Sequence, residues 1–261
     1  MTDKTKIKEE SQLDAVLKGL GMGCAILALI MPGHVTSSQK RVPQVRAVAA
    51  APAVPVAQPY THRADFGMEQ ASDEARHTAN WAVYSGDTQG MPFVVIDKKH
   101  ATVHIFAADG KLRGSTPVLL GSAIGDHSVP GIGEREIMDI KPDERTTPSG
   151  RFVTHPGHNA TGEDIVWVDY NAAISMHRVR PKVASERRLE RLASASTDDN
   201  RISFGCINVP IKFYNEVIHP MLGTARGVVY VLPETRDVRE EFGSYDVPDA
   251  PAVAQAVHTV R

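Results

Sequence analysis

Between residues 92 and 233 the chain is a succession of short segments rich in β-branched and aromatic residues, each cut off by Gly, Pro, Asp or Asn. That punctuation constrains the fold more than any other feature, because segments of this length and composition suit strands and are too short for packed helices. The segments are FVVIDKK, ATVHIFAADG, KLRGSTPVLLG, GRFVTHP, DIVWVDY and AISMHRV. The first two, separated by residues 98–100, and the turn ADGK at 108–111 predict an antiparallel meander. Two helical patterns interrupt the strands, KVASERRLERLAS at 182–194 and the apolar run 209–221, before a last strand GVVYVLP at 227–233. The expectation is a mostly β domain, a sandwich or mixed sheets with a few helices.

The flanks read differently. Residues 19–33, GLGMGCAILALIMPG, are uncharged and follow Lys18 and a mixed-charge leader. Their length fits a secretory apolar region better than a full membrane span, which needs roughly 20 apolar residues. Residues 1–37 are therefore expected to be a signal peptide, or an anchor in the inner membrane, and the rest of the chain to be exported. Residues 38–60 are dominated by Pro, Ala and Val with no persistent period, the composition of an extended spacer. A helical pattern within 61–91, ended by Gly86, predicts a lead-in helix. Residues 234–261, acidic and then rich in Pro, Ala and Val, are expected to be a loose tail. A net charge of −2 over 261 residues gives no electrostatic reason to expect nucleic acid as a partner.

Several motifs have plain readings. GIGERE at 131–136 lacks the third glycine and the strand-to-helix setting of a phosphate loop, and predicts a flexible loop. His155 and His158 in HPGH have metal-like spacing, but Pro156 and Gly157 predict a turn there, and no metal is expected. TTPSGRF at 146–152 reads as a loop feeding a strand.

The two cysteines, Cys24 and Cys206, are too few for a disulfide framework. Cys206 lies in NRISFGCINVP, where it is either a packed small apolar residue or a nucleophile. In an exported chain an unpaired thiol is a liability unless it is buried or used. Gly205 permits close backbone approach, His177 closes a strand upstream, and the helical pattern just downstream would place the thiol at a helix N-terminus. A free thiol is only a few per cent thiolate at neutral pH, so an imidazole that takes its proton would matter. Ser203 and Asn208 would frame the thiol by hydrogen bonds. The residues alone leave both readings open.

TPSGRF, His177 in ISMHRV and SFGCIN at 203–208, taken together, resemble the L,D-transpeptidase family with its YkuD-type catalytic domain. The family pattern is a histidine followed, after a variable segment, by Ser/Thr-His-Gly-Cys, an apolar residue and Asn or Arg; Ser203, Gly205, Cys206, Ile207 and Asn208 match it in order. The resemblance covers 92–233. It implies a mostly β domain of the bacterial cell envelope acting on peptidoglycan stem peptides without a cofactor. Cys206 would attack a donor tetrapeptide, release D-alanine and hold the acyl group as a thioester for an amine acceptor. His177 would be the base, and the N–H groups of Gly205 and Cys206 the oxyanion hole. Phe204 departs from the pattern by replacing a histidine, and Arg178 by replacing a frequent glycine; the first removes a polar contact to substrate, and the second is a candidate for binding a stem-peptide carboxylate. The interval 179–202 is longer than is usual in the family, and its helix would be a lid or an outer helix. Three alternatives remain: an L,D-carboxypeptidase or endopeptidase of the same chemistry, an inactive peptidoglycan-binding module, and a metal-dependent hydrolase using His155, His158 and His177.

Overall fold

The computed structural model describes residues 63–248, so the expected export segment (1–37), the spacer (38–60) and the chain beyond 248 lie outside the described residues. In chain order the strands are β1 (Phe93–Asp97), β2 (Thr102–Phe106), β3 (Leu112–Pro117), β4 (Leu120–Gly121), β5 (Gly150–Val153), β6 (His155–His158), β7 (Asp164–Asp169), β8 (Ile174–Arg178), β9 (Arg201–Ser203), β10 (Ile207–Val209) and β11 (Val228–Val231). They form a five-stranded sheet of order β3-β2-β1-β11-β5, a four-stranded sheet β10-β8-β7-β6 and the small pair β4-β9. The domain is mostly β with mixed sheets and few helices. The predicted meander is β1-β2-β3, paired antiparallel throughout.

β1 is buried along its whole length because both its faces are covered. Val94 and Ile96 point into a core shared with Val166 and Met176 of the four-stranded sheet. Phe93 and Val95 point the other way, onto Ala75, Ala79 and Trp81 of helix α1 (Asp73–Ser85). β11 pairs parallel with β1 and antiparallel with β5, which inserts it between them inside the sheet. α1 begins later than its apolar pattern predicts. Ser72 caps it by accepting a hydrogen bond from Ala75 N at 3.1 Å, and Gly86 in the left-handed region (φ 71°) ends it. Phe66, which the pattern placed in the helix, packs against the Phe106 ring ahead of it.

Three further expectations change. HPGH is the edge strand β6, not a turn; it pairs only with β7, and a sheet edge tolerates Pro156 because no second neighbour needs its N–H. Residues 234–248 are not loose: Asp237 caps helix Val238–Phe242, whose Phe242 ring stacks on Trp81 and meets Tyr230 edge-on. Val209, the first residue of the apolar run, closes strand β10, and the helix begins only at Ile211, continuing through a π-helical turn Tyr214–Ile218 to Leu222.

The interval 179–202 carries helix α2 (Arg188–Ala193), shorter than the predicted 182–194. Its Leu192 is buried with Leu119 and Val179, a small cluster separate from the main core. Among the described residues no helix is long and apolar enough to cross a membrane.

Candidate active site

Cys206 sits on a short loop between β9 and β10, and that loop is held from below by TTPSG. Gly205 has φ 127°, and a Cβ there would lie 2.6 Å from Thr146 O and 2.7 Å from Ile174 Cδ1. Only glycine fits so close to another backbone at that dihedral. Thr147 Oγ1 donates to Gly205 O at 2.8 Å and accepts from Gly121 N at 2.9 Å. Thr147 O accepts in turn from Lys98 Nζ at 2.9 Å, and the fully buried ammonium also reaches Gly125 O at 2.6 Å and Asp126 Oδ1 at 2.8 Å. Burial favours the neutral form of Asp126, but bonds from Lys98, Thr235 and the Glu234 and Thr235 amides outweigh it and hold its carboxyl well below the usual range.

The loop departs from expectation in how it treats the thiol. Ser203 Oγ donates to Cys206 O at 2.7 Å and Asn208 Nδ2 to the same oxygen at 3.0 Å, so these two side chains fix the backbone rather than Sγ. Gly205 N–H is bonded to Ser203 Oγ at 3.0 Å. Of the two amides expected to form an oxyanion hole, this leaves that of Cys206 as the candidate donor. A strand, not a helix, follows the cysteine, so no helix-terminal field acts on it. Sγ lies 3.6 Å from Ala173 O and 3.7 Å from Ser175 Oγ, and it is these groups, not His177, that it hydrogen-bonds. Ala173 occupies the left-handed region (φ 55°) in the turn before β8, which the sequence does not signal.

His177 is opposite Asn208 in the parallel β8-β10 ladder and 8% exposed. Its Nδ1 lies 2.7 Å from Arg178 O, which assigns the proton to Nδ1 and leaves the Nε2 lone pair as the acceptor. Burial pushes its pKa down to about 4; the bond to Arg178 O works against this, and the charges of Arg180 and Arg188 add to it. The imidazole is therefore neutral at pH 7, the form a base requires.

His177 and Cys206 line one cavity of about 300 Å³ together with Arg180, Glu186, Arg188 and Phe204. Arg180, Glu186 and Arg188 come from the 179–202 interval and were not singled out in the sequence, where the charged run reads as the solvated face of a helix. Arg188 Nε donates to Glu186 Oε2 at 2.6 Å and its Nη1 to Asn208 Oδ1 at 2.9 Å. The interval thus builds one wall of the cavity.

Arg178 does not take the position expected of a substrate ligand. Strand alternation turns it to the face opposite His177, where it bonds Asp164 Oδ1 at 2.9 Å and Asn215 Oδ1 at 2.7 Å and lies 4.2 Å over the Tyr214 ring. What it gives the site is its main-chain oxygen. Phe204 carries the Arg145 guanidinium 4.0 Å over its ring and lines, with Cys206, a second and more apolar cavity of about 150 Å³. GIGERE forms a wall of that cavity instead of a free loop: Gly133 is so close to Asn171 that a Cβ would lie 2.3 Å from its carbonyl oxygen.

His155 and His158 do not converge with His177. They lie three residues apart on a strand, so they face opposite sides of the sheet. Among the described residues no group of three or more His, Cys, Asp or Glu side chains is placed to hold a metal ion.

No family model matches the chain, and no curated protein does. Among solved structures, an L,D-transpeptidase from Mycobacterium smegmatis is 17% identical over 54% of this chain and 58% of its own, with a TM-score of 0.30. An Enterococcus faecium L,D-transpeptidase mutant is 18% identical over 54% of this chain and 50% of its own, with a TM-score of 0.30. One from Xylanimonas cellulosilytica is 16% identical over 54% of this chain and 60% of its own, with a TM-score of 0.33. The match thus spans 50% to 60% of the length of these three structures. At these values the chemistry of the site rests on this chain's own residues.

Proposed function

We propose that the protein is an exported L,D-transpeptidase of the bacterial cell envelope acting on peptidoglycan stem peptides. The observation that carries the reading is the shared cavity: a part-exposed cysteine thiol and a buried neutral histidine, its Nδ1 committed to Arg178 O, open onto the same space. A solvent-reachable thiol beside an oriented base is the arrangement of a cysteine acyl-transfer site.

In the reaction, Sγ rotates from Ala173 O toward His177, whose Nε2 takes the thiol proton. Sγ attacks the carbonyl carbon of the L-to-D peptide bond, and the Cys206 N–H faces the developing oxyanion. The C–N bond breaks, the proton passes from Nε2 to the leaving amine, and D-alanine departs, leaving a thioester on Cys206. An acceptor amine gives a proton to Nε2 and attacks the thioester, forming a new amide and freeing the thiol. Water in place of the amine makes the same site a carboxypeptidase.

The test is incubation of the full chain with tetrapeptide muropeptides and a D-amino acid, followed by mass spectrometry. Loss of D-alanine with incorporation of the amine supports transfer, and loss alone supports hydrolysis. Unchanged turnover in Cys206→Ala would overturn the assignment of the nucleophile.

A further inference from the structure

The four-stranded sheet carries a second concavity on the face that holds Ser175. In the β7-β8 ladder Trp167 is directly opposite Ser175, and in the β6-β7 ladder it is directly opposite His155. Directly opposed residues project to the same face with Cβ atoms roughly 5 Å apart. Ser175 touches the Cys206 thiol, so Trp167 and His155 continue that face outward, one and two strands from Ser175, to the edge of the sheet. There they line an open groove of about 670 Å³ with Tyr170 and Asp169.

The groove is built rigidly around exposed aromatic surface. Trp167 lies on the Gly157 backbone so closely that a Cβ at 157 would meet its Cδ1 and Nε1 at 2.7 Å. Tyr170 is 76% exposed, yet its ring is fixed against the Trp167 ring at 5.1 Å and 63°. Asp169 Oδ1 pins the turn beneath Tyr170 by accepting from Asn171 N at 3.0 Å and Ala172 N at 3.2 Å. Its Oδ2 has no partner among the described residues. Arg151 also lines the groove, but its guanidinium is bonded to the Asp87 side chain and carbonyl, which argues against an anionic ligand.

We propose that this groove is a saccharide-docking subsite for an N-acetylhexosamine chain. A pyranose has one C–H-rich face, which stacks on an aromatic ring through the ring's electron-rich π surface, and a rim of hydroxyl and acetamido groups. Trp167 and Tyr170 supply the rings; Asp169 Oδ2 and the exposed His155 supply polar partners at the rim. A proline-rich peptide would stack equally well but has few N–H groups to meet that carboxylate. The proposal rests on the reading of Cys206 as an acyl-transfer site for glycan-linked peptides in one respect only: it assigns the sugars to the groove while the attached peptide occupies the thiol cavity.

The experiment titrates the full chain with chitotetraose, an N-acetylglucosamine tetramer without peptide, and follows tryptophan fluorescence. The chain has 2 tryptophans, and the other, Trp81, is only 7% exposed, so a saturable change reports Trp167. The expected result is saturation at up to millimolar sugar, retained in Cys206→Ala and weakened about tenfold in Tyr170→Ala. Tyr170→Ala is also expected to raise KM for a disaccharide-tetrapeptide about tenfold while leaving the sugar-free tetrapeptide unchanged. No saturable response to chitotetraose would overturn the proposal. So would a response to a proline-rich peptide with chitotetraose inert, which would make the groove a peptide site. Sugar binding is read without turnover, so loss of the groove assignment leaves muropeptide turnover intact, and failure of the transpeptidase reading leaves chitotetraose binding intact.

Discussion

Arg188 donates from Nη1 to Asn208 Oδ1 at 2.9 Å, and Asn208 donates from Nδ2 to the carbonyl oxygen of Cys206 at 3.0 Å. The two bonds join the 179–202 interval to the Cys206 backbone. Since the Arg188 side chain is only 13% exposed, the first is a charge-assisted bond largely shielded from water. Arg188→Ala is expected to slow alkylation of Cys206 by iodoacetamide and to lower kcat about tenfold, the scale of one charge-assisted bond. It should also raise the His177 pKa, because the Arg188 charge helps to depress it. A purely structural role would leave the pH profile unmoved, so a profile superimposable on wild type counts against the link.

The same histidine sets the pH response. With its pKa pushed down to about 4, His177 stays neutral through mildly acidic pH, and the acid limb of kcat/KM is expected near 4 instead of near the ordinary histidine value of 6.5. Stability follows by linkage. Between about pH 4 and 6.5 the unfolded chain binds a proton at His177 that the folded chain does not, so stability is fully present above 6.5 and falls as pH drops through that window. The loss amounts to about 3 kcal/mol at its limit. Urea midpoints of wild type and His177→Gln at pH 7 and 4.5 check it: the fall in this window should be smaller in the variant.

At Gly205 the loop that carries Cys206 passes close to TTPSG. Gly205→Ala adds a methyl group that would lie 2.6 Å from Thr146 O at a φ of 127°. The expected cost is about 1–3 kcal/mol of stability, read from the urea midpoint, with turnover reduced even where the protein remains folded. Thermal unfolding and activity both equal to wild type would show that the loop relaxes without consequence.

How much of this was legible in the sequence depended on whether a signal was local. The meander was legible because the alternation in FVVIDKK and ATVHIFAADG and the turn ADGK are local features, and the strand chemistry that reads them is local too. Cys206 and His177, singled out together in the sequence, line one cavity in the structure. The fine assignments around them were not legible. Asn208 and Ser203 were expected at the thiol, but both donate to the Cys206 carbonyl, Asn208 from β10 in register with β8 and Ser203 from β9 in register with β4, and register is a long-range property. Arg178 looked free to meet substrate because its partners Asp164 and Asn215 are distant in sequence. The apolar pattern from 209 is continuous, so nothing in it marked that Val209 still belongs to strand β10, which separates Cys206 from the helix. Arg188 offered no signal at all among the neighbouring arginines of a charged helix.

Lys98 was read as part of a turn between strands, and it is instead a fully buried ammonium. It holds Gly125 O, Asp126 Oδ1 and Thr147 O together, and Arg201, ion-paired with Glu234, donates to its main-chain oxygen at 2.9 Å. Lys98→Met removes the charge but keeps much of the volume, leaving the Asp126 carboxylate buried without its cation. Breaking a buried pair in this way costs about 3–5 kcal/mol. Because Thr147 carries the Gly205 carbonyl, the variant is also expected to react more slowly at Cys206 under conditions where it is still folded. The double variant Lys98→Met/Asp126→Asn should recover part of the stability, since it removes the orphaned charge; no recovery would mean that the three bonds to carbonyl and carboxylate oxygens, not the ion pair, hold these segments.

Phe204 stands where the resemblance calls for a histidine, and its surroundings argue that the exchange is matched by Arg145. The guanidinium lies 4.0 Å over the ring and donates from Nε and Nη2 to Ile140 O at 3.2 and 3.1 Å, so one side chain ties the Cys206 loop to the segment around Ile140. A cation over an aromatic face is attracted by about 0.5–1 kcal/mol at a site of this exposure. Phe204→His puts a titratable ring beneath that cation. At pH 8 the neutral imidazole should cost little, whereas at pH 5.5 protonation sets two positive charges against each other and the site should loosen. The expected readout is an alkylation rate at Cys206 that separates from wild type only on the acid side. Phe204→Leu supplies the control, as it loses the π face without gaining a charge and should show a small offset independent of pH. Equal pH dependence in Phe204→His and Phe204→Leu would remove Arg145 from the account of this position.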